Sequence, residues 1–190
     1  MSRTGRGGEC DALRDPLGCP VSPELKRLLR PDDFIIACDA GYRNCAPLGC
    51  KPNIILGDFD TAPCPVQQND DIIVLPHVKD DTDTEYAAKL ASEKGFTEVL
   101  LLGALGGRRI EHTLSICHWP WAGRTGVRAT LQDERSRITF VRSGETRAYP
   151  KEEFFYFSAF PMEAGRRACV SAVPTMSSPM MCWWPVTRWE

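Results

Sequence analysis

No apolar run in this sequence approaches the roughly 18 residues that a membrane-spanning helix needs, so a bilayer-spanning protein is not expected. The N-terminal stretch MSRTGRGGECDALRD carries basic residues but lacks the apolar core of a secretory leader. Neither sign of charge dominates: 23 Lys and Arg stand against 25 Asp and Glu, a formal net charge of −2. That balance offers no whole-chain basic field to nucleic acid or to an anionic membrane surface. Also missing are CxxC pairs, internal repeats, low-complexity tracts and the GxxxxGK[ST] phosphate loop. What is present is the composition of a folded chain, 43% hydrophobic and 25% charged over 190 residues, enough for one domain or two small ones. The nine cysteines, odd in number and without metal-ligand spacing, read as reduced, mostly buried thiols. A soluble cytoplasmic protein is the expectation.

Between Phe34 and about Gly123 the chain alternates strand, turn and helix. The runs Phe34–Gly41, Asn53–Asp60, Asp71–Pro76 and Glu98–Gly107 are apolar and end in Asp or Gly, as strands of a parallel sheet buried on both faces do. Thr82 and Glu85 form a capping-box pair at the start of a helix that Gly95 ends. A second helix is expected from about Ile110 to Trp119, limited by Pro120. After residue 124 the segments Val127–Gln132, Ser136–Arg142, Glu145–Pro150 and Glu153–Phe160 are short and β-branched or aromatic, which predicts antiparallel strands with tight turns. The fold class is therefore α/β: a parallel-sheet α/β domain over 34–124, then a small, incomplete, sandwich-like antiparallel β-domain over 125–165. Residues 1–33 carry no clear pattern beyond a short helix at Pro23–Leu29, and 166–190 read as an irregular, Trp- and Met-rich tail.

The acidic residues sit where α/β sheets place their sites, just past the carboxyl ends of strands. Asp39 follows the first run, and Asp58 and Asp60 follow the second. Asp80, Asp81 and Asp83 precede the capped helix, Asp81 reading as an ordinary loop residue. On an extended stub, residues two apart project to the same side, so Asp58 and Asp60 can reach one cation. Clustered carboxylates repel, and Mg²⁺ carrying a polyphosphate relieves that. Opposite in character is Gly103–Arg109, a glycine-rich strand-to-helix turn. There Gly106 and Gly107 allow close backbone approach, Arg108 can fork onto phosphate oxygens, and His112 follows one helical turn later. A cation-binding wall facing an anion-binding wall suits a metal–nucleotide complex. His77 and His118 read as structural.

The segments ACDAGYR, KPNIILGDFDT, KDDTDTEYA and GALGGRRIEHTL, in that order over about residues 34–116, resemble the thiamin pyrophosphokinase family, whose pattern is ADGG, GDFDS, KD-x-TD and GGR-x-DH-x-L-x-N. The resemblance implies an α/β domain followed by a β-sandwich, homodimers with sites between subunits, and pyrophosphoryl transfer from ATP to thiamin. By motif match, Asp58, Asp60, Asp80 and Asp83 are the catalytic, metal-holding residues for Mg²⁺–ATP. Arg108 and His112, with Gly106 and Gly107, contact phosphates, and Asp39 lies toward the substrate end. The partners implied are ATP and thiamin, with no nucleic acid and no membrane.

Several positions depart from the pattern. Thr61 replaces Ser, Ala40 replaces Gly, Glu111 replaces Asp, and Ile116 stands where the motif has Asn, losing a polar contact. The family's closing Gly-x-Ser-Asn segment has no counterpart after about Gly165, and its first strand has only Gly7–Asp11 as a candidate end. The expectation is a homodimer that binds ATP and transfers poorly to thiamin. Two alternatives stand beside it. One is a Mg²⁺-dependent phosphohydrolase of haloacid-dehalogenase type, with Asp58 as nucleophile and Asp60 as acid–base. The other is a nucleotide-binding relic without acceptor binding.

Overall fold

Branched aliphatic runs favour strands, and all four expected here form them. The computed structural model describes residues 9–14, 21–60, 63–65, 71–77, 81–106, 110–123, 125–149 and 156–160; of these, 9–14, 111–112 and 119–122 contribute backbone only. The elements are β1 (Glu9–Arg14), β2 (Phe34–Cys38), α1 (Cys45–Leu48), β3 (Ile54–Gly57), β4 (Asp71–Val74), α2 (Asp83–Glu93), β5 (Glu98–Leu102), α3 (Ile110–Ala122), β6 (Arg128–Gln132) and β7 (Arg137–Thr139). Short 3-10 turns occupy Pro23–Leu28 and Asp39–Asn44. The strands form one sheet in the order β4-β3-β2-β1-β5-β6-β7. Every neighbouring pair is parallel except β6 and β7.

The period-two alternation of the strands sorts their side chains into two core layers. Ile36, Cys38, Ile54, Leu56, Val99 and Leu101 pack on one face with Ala87, Ala88 and Ala91 of α2 and Ile116 of α3. Ile35, Ala37, Ile55 and Leu102 pack on the other with Val21, Leu25, Cys45 and Leu48. The alanines of α2 let that helix lie close to the sheet. Its ends are as the sequence predicts. Thr82 Oγ1 accepts from the Glu85 N–H at 3.2 Å. Gly95, at φ 88, closes a Schellman motif in which the Phe96 N–H reaches the Ala91 carbonyl at 3.0 Å. No helix among the described residues is long and apolar enough to cross a membrane.

Four features differ from the sequence reading. First, the N-terminal segment without a pattern supplies β1, a central strand. It pairs with β2 through Cys10 opposite Phe34 and with β5 through Cys10 opposite Val99. Glu9, Asp11 and Arg14 disguise it as a loop, but ladder hydrogen bonds use only the backbone. Second, β4 is an edge strand, with Val74 69% exposed, and is not buried on both faces. Third, β6 joins the sheet in parallel beside β5, with Leu101 opposite Leu131, although Val127–Gln132 was expected in an antiparallel domain. Local composition shows a strand but not its partner. Fourth, α3 runs through Pro120 to Ala122 and ends at Gly123, φ 65. A proline this near the end costs one carbonyl its partner without breaking the last turn.

The chain divides into two units, residues 1–142 and 143–190. β6 and β7 belong to the first. In the second, the rings of Tyr149 and Phe157 lie 5.5 Å apart. Residues 166–190, together with Phe154 and Phe155, lie outside the described residues.

Ile116 also changes meaning. It is fully buried in the layer formed with α2, so the side chain that breaks the family pattern does packing work. Ile116→Asn should cost at least about 3 kcal/mol, combining a lost buried aliphatic chain with an unpartnered buried amide. Urea denaturation checks this, and a loss under about 1 kcal/mol would show that the position is not tightly packed.

Candidate functional site

Because β2 and β3 are parallel neighbours, their carboxyl ends lie side by side, with Cys38 opposite Leu56. Asp39 and Asp58 leave those ends next to each other. Gly57 makes their approach possible. A Cβ built on it would lie 2.9 Å from the Asp39 Cα and 3.0 Å from the Asp39 nitrogen. Asp39 itself is 7% exposed and holds a left-handed φ of 47.

The Asp58–Asp60 pair does not sit on an extended stub. Phe59 has a φ of 54, and its ring packs against the core layer containing Leu48 and Ile55. A left-handed aromatic residue is uncommon, and partial burial of its ring helps offset the backbone cost. The turn holds Asp58 and Asp60 together, and the Asp60 N–H lies 3.3 Å from Asp58 Oδ1. Carboxylate oxygens of Asp39, Asp58 and Asp60 fall within 4.8 Å of one another. Among the described residues, Asp39 and Phe59 are the two non-glycine positions with positive φ, and both shape this cluster.

The remaining candidates distribute as follows. Asp83 opens α2 and is 8% exposed. Its carbonyl lies 3.9 Å from the Cys38 thiol, which brings the helix start against the end of β2. Its carboxylate does not belong to the three-residue cluster. Asp81 pairs with Lys89, which also reaches Glu85 at 3.8 Å. Asp81 was read as an ordinary loop residue and carries this ion pair at the start of α2. Gly103 and Gly106 have φ 72 and 83, as a glycine turn between β5 and α3 requires. His112 lies in the first turns of α3. Asp80, Gly107 and Arg108 lie outside the described residues, as does the side chain of His112.

Two residues join the site without having been singled out for it. His77, read as structural, places Nδ1 3.4 Å from Asp58 Oδ2. Thr113 Oγ1 lies 3.4 Å from the carbonyls of both Ala104 and Gly106, fastening the glycine turn to α3. Neither has a one-dimensional signal, because each contact depends on a loop meeting another segment. Among the described cysteines, Cys38, Cys45, Cys50, Cys64 and Cys117 form no disulfide. A hydrogen bond with Cys45 pulls the Cys50 thiol below its usual range, and burial pushes Cys117 up.

Comparison with known proteins follows the same division. The family model for the thiamin pyrophosphokinase catalytic domain matches residues 25–123. Among solved structures, thiamine pyrophosphokinase from Bacillus subtilis is 20% identical, with a TM-score of 0.53, over 69% of this chain and 63% of that one. Thiamin pyrophosphokinase from Geobacillus thermodenitrificans is 24% identical, with a TM-score of 0.54, over 66% and 60%. A probable thiamine pyrophosphokinase from Staphylococcus saprophyticus is 23% identical, with a TM-score of 0.52, over 72% and 70%. At these identities the likeness is one of fold, and the matched part spans less than two thirds of the Bacillus and Geobacillus chains. No match was found among individual curated proteins. The family match covers just over half of the sequence and contains β2 through α3, including all three clustered aspartates; the chain belongs to the thiamin pyrophosphokinase family.

Proposed function

We propose that this chain binds Mg²⁺–ATP and transfers its pyrophosphoryl group to the hydroxyethyl oxygen of thiamin, giving thiamin diphosphate and AMP. The observation that carries this is the convergence of Asp39, Asp58 and Asp60 at adjacent strand ends. Three carboxylates offer hard oxygen donors and no thiolate or imidazole, a set suited to Mg²⁺. When bound there, the ion neutralises triphosphate charge. Asp58 and Asp60 would hold it, Asp39 completes the cluster, and Asp80 and Asp83 are assigned a supporting role by motif match. Gly106, Gly107, Arg108 and His112 are assigned to phosphate contacts by their match to the family motif.

Transfer between oxygens depends on positioning and charge neutralisation more than on covalent help. The thiamin hydroxyl oxygen bonds to the β-phosphorus as the bridge to the α-phosphate breaks. AMP leaves with the bridging oxygen, and one of the site's aspartates takes the hydroxyl proton. The protein is assigned as a cytoplasmic homodimer. Exposed apolar side chains such as Tyr156 and Phe160, 69% and 66% accessible, support the pairing of subunits.

Incubation with ATP, Mg²⁺ and thiamin tests the proposal. Formation of AMP with thiamin diphosphate supports it. Phosphate release from small esters without thiamin would favour the phosphohydrolase, and ATP binding without turnover would favour the relic.

Thr113 offers a check on the glycine turn. Its hydroxyl has one proton to share between two turn carbonyls, so Thr113→Val should weaken ATP binding by roughly 3- to 10-fold, the worth of about one hydrogen bond. Thr113→Ser should restore it. Equal affinity in all three proteins, measured by calorimetry, would separate the turn from the nucleotide site.

A further inference from the structure

We infer that His77 is a positioning residue for Asp58, aligning that carboxylate toward the divalent cation. The inference rests on the assignment of the aspartate cluster as a cation site. The sheet register brings His77 there. β4 pairs in parallel with β3, Gly57 lies opposite Val74, and the Leu75 N–H donates to the Gly57 carbonyl at 2.9 Å. The two chains therefore leave the sheet together. One step past Gly57 comes Asp58, and three steps past Val74 comes His77, with Nδ1 3.4 Å from Asp58 Oδ2.

The two oxygens of Asp58 thus face different groups. Oδ1 faces the Asp60 N–H at 3.3 Å, and Oδ2 faces the imidazole. A carboxylate approached at both oxygens cannot turn freely about its last torsion. Asp39 needs no such outside help, because it is buried and wedged against Gly57. Asp58 stands on an irregular turn beside the left-handed Phe59, with its side chain 15% exposed. A polar group held against a metal-binding carboxylate restricts its orientation, and losing such a partner commonly lowers metal affinity about 10- to 100-fold. His77 is 70% exposed at its side chain, so the low end applies and the fold does not depend on it.

Mn²⁺, which shares the oxygen preference of Mg²⁺ and reports its own binding by electron paramagnetic resonance, is the probe. The full chain and its variants are titrated side by side at one pH and ionic strength. His77→Ala should weaken Mn²⁺ binding about 10-fold. His77→Asn, whose amide nitrogen occupies the place of Nδ1, should recover most of it. Urea midpoints of both variants should match the parent. If Asp58→Asn abolishes binding while His77→Ala binds as the parent does, the role of His77 is overturned and the cation site stands. If the parent binds no Mn²⁺, or Asp58→Asn leaves binding unchanged, the cation site itself fails and the inference falls with it.

Discussion

Asp58→Asn and Asp60→Asn should each leave the fold intact and lower Mg²⁺-dependent ATP binding by at least about 100-fold, the scale of losing a direct ligand rather than a supporting one. The two residues flank Phe59, whose partly buried ring packs on a core layer, and an asparagine at position 58 keeps an oxygen that can accept from the Asp60 N–H. Neither aspartate belongs to a core layer, so the substitutions open no cavity. Their oxygens lie within 4.8 Å of one another and of Asp39. Replacing one charge relieves repulsion among like charges in a site of reduced dielectric, so thermal stability should hold or rise. Calorimetric titration with Mg²⁺–ATP, beside a thermal melt, checks both halves. Unchanged affinity in both variants would remove the pair from the site. Loss of folding in either would mean that the carboxylates are structural caps of the turn.

Gly57→Ala should damage stability and cation binding together. Gly57 has no positive φ, so its requirement is steric and not conformational. The methyl group would meet the Asp39 backbone at 2.9 and 3.0 Å, where neither strand can give way easily. β2 and β3 are held by their ladder, and Ala37, Cys38, Ile55 and Leu56 are fully buried. Overpacking of this kind costs about 1–3 kcal/mol. Whatever relaxation occurs moves Asp39, because it is the residue in contact. Mn²⁺ affinity should therefore drop along with the urea midpoint. A variant that loses stability but keeps parental Mn²⁺ affinity would show that Asp39 does not contribute to the cluster. One that keeps both would show that the two strand ends are less tightly apposed.

These expectations depend on parts of the molecule that the sequence reveals unequally. The four apolar runs, the Thr82 cap and Gly95 were legible because each is a local effect: a stretch of branched side chains, a hydroxyl reaching three residues on, a residue tolerating positive φ. The placing of Asp39 and Asp58 at strand ends was legible for the same reason. Contacts between segments were not. His77 reaches Asp58 only because β4 pairs with β3, and Thr113 reaches Gly106 only because α3 folds back against the turn after β5.

By itself, then, the sequence determined the α/β class, the strands β2 through β5, and the family whose motifs punctuate them. Tertiary structure alone decided that Glu9–Arg14 is a central strand, that Arg128–Gln132 runs parallel beside β5, and that Ile116 is core. It also decided that Asp39 shares one cluster with Asp58 and Asp60. The reason for the strands and the cluster lies in sheet assembly, whereas Ile116 became core through the packing of α3. Backbone hydrogen bonding is nearly indifferent to side-chain type, so a charged segment can fill the middle of a sheet when both neighbours offer open ladders. Which carboxylates meet is settled by which strands are neighbours, and strand order is a property of the assembled sheet.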